Sequence, residues 1–277
     1  MDKDIITCII LTKNEEKNIA RSIQSAKLIT NSIYVIDSFS DDKTVEISKN
    51  NGATVLQHKF ETHGKQFNWA LSELKINSPW IIRLDADEEI TPELGKEIIE
   101  NCNAHLSDDV NGFVIKFKLF FLGRFLKHGG AYPFLKLVVF KTNYGIFDER
   151  GMRDQVLLSE GKILTLKNDC LHYDCKSLES WIMKHVWYSS LEFNNLVNDT
   201  TELEGKRSSS SSKANFFRDK LYYKLPMFCR AKLYYIYLYI FKLGFLDGKA
   251  GKIHAFFQAY WYRYLIDARL YEKKHSK

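Results

Sequence analysis

The residues best suited to do chemistry gather just after strand-like runs. Asp85-Ala86-Asp87-Glu88-Glu89 follows Trp80–Leu84, Asp37-Ser38 with Ser40-Asp41-Asp42 follows Ile33–Ile36, and Thr12-Lys13-Asn14-Glu15-Glu16 follows Ile5–Leu11. Like charges collected in this way are unfavourable unless a cation or hydrogen-bond donors fill the space between them. The pattern asks for a divalent metal, donor groups on a ligand, or both. Asp85-x-Asp87 is the sharpest element. Two carboxylates at i and i+2 can reach one hard cation and the ligand it holds, and Mg²⁺ and Mn²⁺ prefer oxygen ligands shared with phosphates. By itself D-x-D is a weak motif that mostly marks solvated turns, but a position after a buried strand lifts it above that background. Other phosphate-binding and nucleophile devices do not occur: there is no G-x-x-x-x-G-K-[ST], no G-x-G-x-x-G, no H-E-x-x-H and no G-x-S-x-G.

The elements that must position these groups alternate between strand and helix. Ile5–Leu11 and Ile33–Ile36 are continuous apolar, β-branched runs, as strands buried on both faces require. Asn14 is a candidate cap for a helix carrying Ile19, Ile23 and Ala26, and Ser40 for one running through Ser48, with Gly52 as its stop. Thr54–Leu56 reads as a strand, Phe67–Leu74 as a helix, and Trp80–Leu84 as a strand. Thr91-Pro92 opens a helix to about Asn103, with Pro at the first helical position. This alternation predicts an α/β fold with a doubly wound, mostly parallel sheet, whose ligands bind outside the carboxyl ends of its strands. Phe113–Phe121 and Leu135–Phe140 then read as antiparallel additions around a Gly129-Gly130 turn. Ser177 can cap a long helix containing Trp181 and His185. The division expected is a body over 1–201, a serine-rich loop or linker over 202–213, and a helical appendage over 214–277.

Composition sets the outer bounds. The 277 residues are 45% hydrophobic and 27% charged, which excludes a disordered or collagen-like chain and a multi-span membrane protein. The net charge of +6 is uneven: residues 213–277 hold 14 Lys and Arg against 4 Asp and Glu, so a basic, aromatic tail follows a slightly acidic body. Such a tail suits a polyanionic surface, either an anionic membrane or nucleic acid. Its longest apolar run, Leu233–Phe241, is too short to span a bilayer. Five cysteines without a C-x-x-C pair support neither a disulfide framework nor a zinc knuckle, and Met1-Asp2-Lys3-Asp4 lacks signal-peptide features. A reducing, cytoplasmic setting is the expectation.

Four ordered blocks carry a resemblance. Thr12-Lys13-Asn14-Glu15-Glu16, Val35-Ile36-Asp37-Ser38 with Ser40-Asp41, Lys65-Gln66-Phe67-Asn68-Trp69-Ala70, and Arg83-Leu84-Asp85-Ala86-Asp87-Glu88 resemble the signatures of family 2 glycosyltransferases over roughly residues 5–199. The likeness extends to bacterial enzymes that build lipopolysaccharide core, O-antigen or exopolysaccharide, including core glucosyltransferases acting on heptose. It implies a GT-A fold, an inverting mechanism and a nucleotide-sugar donor, with UDP-glucose the first expectation and Mg²⁺ or Mn²⁺ as cofactor. Carried onto this chain, it puts Thr12 and Glu15 at the nucleotide edge and Asp37 on the nucleobase. Lys65, Gln66 and Asn68 lie beside base and ribose, Arg83 and Asp85 face ribose or sugar, and Asp87 binds the metal. The catalytic base falls in Glu149–Gln155, at Asp154 with Glu149 as runner-up. Lys184 and His185 are candidates for the diphosphate. His172 is either a group near the metal or diphosphate or a plain structural histidine.

The remaining polar residues invite plainer readings. Glu16, Asp41, Asp42, Glu88 and Glu89 read as solvated or helix-dipole carboxylates, and Trp69 and Trp181 as packing residues. The tail reads equally as an interfacial helix on an anionic leaflet or as a core-packing helix with lysines to water. Nucleic acid ranks behind both, because acidic strand ends would repel a phosphate backbone. The reading is a transferase acting on a lipid-linked saccharide, peripheral at the inner face of the plasma membrane. Its competitors are a sugar nucleotidyltransferase, disfavoured by the missing Gly-rich loop after Ile9-Ile10-Leu11, and a non-enzymatic basic-tailed binding module.

Overall fold

The computed structural model describes residues 5–147, 156–173, 177–197 and 222–276. Strand β1 (Ile6–Thr12) is buried along its whole length, as its unbroken apolar sequence requires. It lies between β2 (Ser32–Asp37) and β4 (Trp80–Asp85), parallel to both, and β3 (Thr54–Gln57) extends this parallel half beyond β2. Among the described residues β5 (Glu88–Ile90), β6 (Val110–Phe121), β7 (Arg124–Phe125), β8 (Phe134–Lys141) and β11 (Lys162–His172) complete a nine-stranded sheet of order β3-β2-β1-β4-β8-β6-β11-β5, with β7 on β6. The join at β4–β8 is antiparallel, and so is β11–β5. Strands β9 (Gly145–Phe147) and β10 (Val156–Leu158) form a separate antiparallel pair.

Helices α1 (Ile19–Ala26), α2 (Thr44–Asn50), α3 (His63–Glu73) and α4 (Pro92–Ala104) connect the strands. One apolar cluster joins Ile10, Ile23, Trp80, Leu94 and Phe113, and a second joins Ile9, Ile36, Phe67, Phe140 and Phe147. Side chains of alternate residues on β1 therefore bury into opposite layers. Each such side chain contributes about 1.5–3 kcal/mol through removal of apolar surface from water.

The start of α4 is the expected one, with Thr91 Oγ1 accepting from Leu94 N at 3.2 Å. Two other caps differ. α1 begins at Ile19, after a turn, so Asn14 is not its cap. Asn14 instead has a left-handed backbone (φ 53°), and its side-chain oxygen accepts from Asp41 N at 2.9 Å. Nor does Ser40 cap α2: it donates to Asp37, while the Asp42 carboxylate accepts from Thr44 N at 3.0 Å. Short polar side chains serve local caps and cross-loop bonds equally well, and tertiary contact decides which. α3 starts a turn earlier than its apolar residues suggest, because Thr62 Oγ1 accepts from Lys65 N at 3.1 Å.

The chain forms two compact units. Among the described residues, the first holds residues 5–117 and 135–172, and the second holds 118–134, 173 and everything beyond. This division differs from a body ending at 201, and the reason is packing. Helix α5 (Leu178–Val197), opened by Ser177 Oγ accepting from Ser180 N at 3.1 Å, buries Trp181 in a cluster with Phe121, Ala250, Phe257 and Trp261. Its Glu192 accepts from the hydroxyls of Tyr223 (2.7 Å) and Tyr262 (2.8 Å) and pairs with Arg263. The rest of this unit is α6 (Cys229–Ile236), a π-helical turn Tyr237–Phe241, a 3₁₀ turn Gly244–Asp247, α7 (Gly248–Ala255), a second π-helical turn Phe256–Trp261, and α8 (Tyr262–His275). No helix among the described residues is long and apolar enough to cross a membrane.

Candidate active site

Strand register brings the expected residues level. Thr12 stands opposite Asp37, and Leu11 stands opposite Asp85, so the carboxyl ends of β1, β2 and β4 form one edge. Thr12 is buried, and its Oγ1 has no hydrogen-bond partner among the described residues. Asp37 is fully buried and accepts from Ser40 N (2.9 Å), from the Ser40 hydroxyl and from Gln57 Nε2 (3.0 Å). These bonds shape the loop after β2 and tie it to β3, and a separate set holds it against the loop after β1. Lys13 Nζ donates to Phe39 O at 2.7 Å, and Glu15 N donates to Thr44 Oγ1 at 2.7 Å, with Glu15 Oε2 accepting from Asn18.

Two expected base- and ribose-side residues have internal partners. Gln66 is buried, donating to the Ser38 hydroxyl at 2.8 Å and accepting from it at 3.0 Å. Asn68 Nδ2 donates to Phe147 O at 3.0 Å while its Oδ1 accepts from Phe147 N at 2.8 Å, so this amide extends the β9 backbone like an added strand. Lys65 lies on the exposed face of α3, with Nζ 2.6 Å from Glu61. Trp69 is a packing residue, stacked on His58 at 4.2 Å.

The centre of the edge is a four-membered charge network. Arg83 is buried, stacks over the Phe147 ring at 4.7 Å, and donates through Nη2 to Asp85 Oδ1 at 2.7 Å. Lys136, from β8, donates to Asp85 Oδ2 at 3.1 Å and to Glu88 Oε1 at 2.6 Å. The other Glu88 oxygen accepts from Asp85 N at 2.9 Å. Burial pushes the Asp85 carboxyl up, but Arg83, Lys136, His63 and His172 outweigh it and hold the group well below the usual carboxylate range. Glu88 goes the other way: burial and then the Asp85 charge raise it, against the pull of Lys136. Lys136 itself is held above the usual lysine value, because Glu88 and Asp85 together overcome its burial.

Glu88 is thus not a solvated carboxylate, as its sequence neighbourhood suggests; it is 1% exposed. Lys136 is absent from the sequence-based set. A lysine between Leu135 and Leu137 in a strand-like run is the signal that marks it, since an interior strand position holds a charge only when that charge is paired. Arg83 faces Phe147 and Asp85 from within the fold, which leaves Asp85, 24% exposed at its side chain, as the partly open member.

Asp87 lies beside this network. Strand β5 pairs with β11 so that Glu88 stands opposite His172, and this brings His172 Nε2 to 3.5 Å from Asp87 Oδ2. No cluster of three or more His, Cys, Asp or Glu side chains suited to a metal occurs among the described residues. The Asp87 carboxylate is an oxygen donor of the kind that Mg²⁺ or Mn²⁺ takes, these ions being commonly held by one or two carboxylates with substrate phosphates and water completing the shell.

Lys184 and His185 belong to the second unit. His185 stacks on Trp181 at 3.5 Å, donates through Nδ1 to Trp181 O at 2.9 Å, and meets Tyr188 and Tyr262 edge-on. Its ring is a member of the packed aromatic layer there, and Lys184 Nζ lies 5.9 Å from the Tyr188 ring. Asp154 and Glu149, the two candidates for the base, lie outside the described residues.

The Glycosyl transferase family 2 model matches residues 7–153. A Rickettsia typhi protein carrying the name uncharacterized glycosyltransferase is 32% identical over 214 residues, covering 74% of this chain and 70% of its own. A similarly named protein of Rickettsia conorii is 31% identical over 222 residues, covering 77% and 78%. Among solved structures, residues 1–349 of S. aureus TarS in complex with UDP-GlcNAc overlap 98% of this chain and 93% of that one, at TM-score 0.47 and 15% identity. With its mixed sheet, parallel through β3-β2-β1-β4, and its C-terminal helices, the chain has the GT-A fold and belongs to glycosyl transferase family 2.

Proposed function

We propose that this glycosyltransferase is an inverting, metal-dependent hexosyltransferase that moves glucose from UDP-glucose onto a lipid-linked saccharide of lipopolysaccharide core or a related surface polysaccharide. The setting is the cytoplasmic face of the plasma membrane, where such acceptors are assembled. The observation that supports this reading is the convergence of Asp85 and the Asp87–His172 pair at one strand edge, beside the levelled ends of β1 and β2.

The chain's own groups divide the work. Asp85, kept ionised by Arg83 and Lys136, is a fixed acceptor for donor hydroxyls, and a preorganised charge of this kind costs no reorganisation during reaction. Thr12 and the loop ordered by Asp37 border the nucleotide side. A divalent cation held by Asp87 and His172 would neutralise charge on the leaving diphosphate. An acceptor hydroxyl is a poor nucleophile until a carboxylate in hydrogen-bond reach takes its proton. Asp154 fills that role by resemblance, and in-line attack at the anomeric carbon then inverts its configuration.

The test is UDP release from UDP-glucose with Mn²⁺ or Mg²⁺ and a crude lipid-linked acceptor extract, followed by linkage analysis of the product. Release that requires both metal and acceptor supports the reading. If no nucleotide sugar is turned over, and none raises the melting temperature with either metal present, the reading fails.

A further inference from the structure

The second unit carries a surface that glycosyl transfer does not explain. Ile240, Phe241, Leu243, Phe245 and Leu246 are all exposed, with Phe241 73% and Ile240 52% accessible. They are displayed by a pinned backbone. Lys242 O accepts from Gly129 N at 2.8 Å, and the Asp247 carboxylate accepts from His128 N at 2.8 Å and meets the His128 ring at 2.9 Å. The 3₁₀ turn is packed so closely that a side chain on Gly244 would strike Leu238 O at 2.9 Å and approach Gly129 Cα to 3.3 Å. A fixed turn that points large apolar side chains outward is costly in water unless something covers them.

Along the stretch of chain that carries this turn, the exposed charges over 222–266 are of one sign. Lys224, Lys232, Lys242, Lys249 and Lys252 are exposed. Asp247 is the only acidic residue over 222–266 and is buried against His128, and the next one, Asp267, is buried in an ion pair with Arg230. Lys249 and Lys252 also rim a groove of about 360 Å³ walled by Tyr235, Phe256 and Phe257. Apolar side chains ringed by lysines, with aromatic rings between them, match a surface that is anionic outside and hydrocarbon beneath. Nucleic acid offers no apolar layer, and a second copy would set lysines against lysines.

We infer that the turn spanning residues 237–246, with Lys242, Lys249 and Lys252, docks this protein onto an anionic bilayer by inserting Ile240, Phe241, Leu243 and Leu246 among the headgroups. The docking does not depend on which sugar or acceptor the transferase uses. The test is co-sedimentation of the full chain with vesicles of phosphatidylcholine containing about one third phosphatidylglycerol, against vesicles of phosphatidylcholine alone, at low and high salt. The wild type is expected to bind the anionic vesicles and release them as salt rises. Replacing each of Lys242, Lys249 and Lys252 by Gln is expected to weaken partitioning about fivefold per lysine. The Ile240→Ser/Phe241→Ser variant is expected to lose binding while keeping the wild-type circular dichroism.

Three results would overturn the inference: equal binding to both vesicle types, unchanged binding of the folded Ser variant, or a wild-type dimer that the same variant converts to a monomer. The readout is vesicle binding, so a negative UDP-glucose assay leaves it standing.

Discussion

Removing Lys136 tests whether the site is held together by charge balance. Arg83 and Lys136 face Asp85 and Glu88, two cations for two carboxylates, with Lys136 the bridge at 3.1 and 2.6 Å. In Lys136→Met, the methionine fills the stem's volume but leaves the buried Glu88 and the partly open Asp85 against one guanidinium. Breaking a buried ion pair from one side costs about 3–5 kcal/mol, since an uncompensated charge remains. Burial already favours the protonated form of Glu88, so the variant can relieve itself by neutralising that group. We therefore expect the lower end, about 3 kcal/mol. The Lys136→Met/Glu88→Gln double variant removes one charge of each sign and is expected to cost about 1.5 kcal/mol less than the sum of the two single variants. Urea unfolding at neutral pH, followed through the buried Trp80, measures both. A loss under about 1 kcal/mol for the single variant, or strict additivity in the double, refutes the charge-balance argument.

Other expectations follow from the same geometry. Asp87→Ala should weaken Mn²⁺-dependent UDP binding by about tenfold or more, by analogy with the 10–100-fold losses seen when metal sites are disturbed; calorimetry with and without metal decides, and equal affinities would remove Asp87 from the metal site. Asn68→Ala leaves the Phe147 backbone unpaired and should cost about 1–3 kcal/mol in unfolding free energy, whereas an unaltered melting curve would show that the amide clamp is unimportant. Asp154→Asn should retain UDP-glucose binding and lose transfer, and normal turnover would move the base role elsewhere.

Much of the framework is legible without coordinates, because some patterns favour one solution strongly. An unbroken β-branched run such as Ile5–Leu11 favours an interior strand, and Thr91-Pro92 favours a helix start. Motif residues at the ends of such strands are levelled by parallel pairing, which explains why Thr12, Asp37 and Asp85 are found together. Local chemistry failed where two partners compete for one side chain. Asn14 and Ser40 read as helix caps, but each is claimed by the neighbouring loop. Gln66 and Asn68, expected beside base and ribose, also hold internal partners in Ser38 and Phe147 that no local pattern announces.

The chain's own residue order determined the fold class, the strand edge that carries the chemistry and the family to which it belongs. Tertiary structure alone decided the charge states and pairings at that edge. Glu88-Glu89 disfavours a strand and is drawn into β5 by pairing with β11, and that pairing brings His172 to Asp87. Lys136 lies some fifty positions from Asp85 and Glu88, so no local pattern connects them. A buried carboxylate is stable only beside a cation, and the strand order of the sheet determines which cation that is.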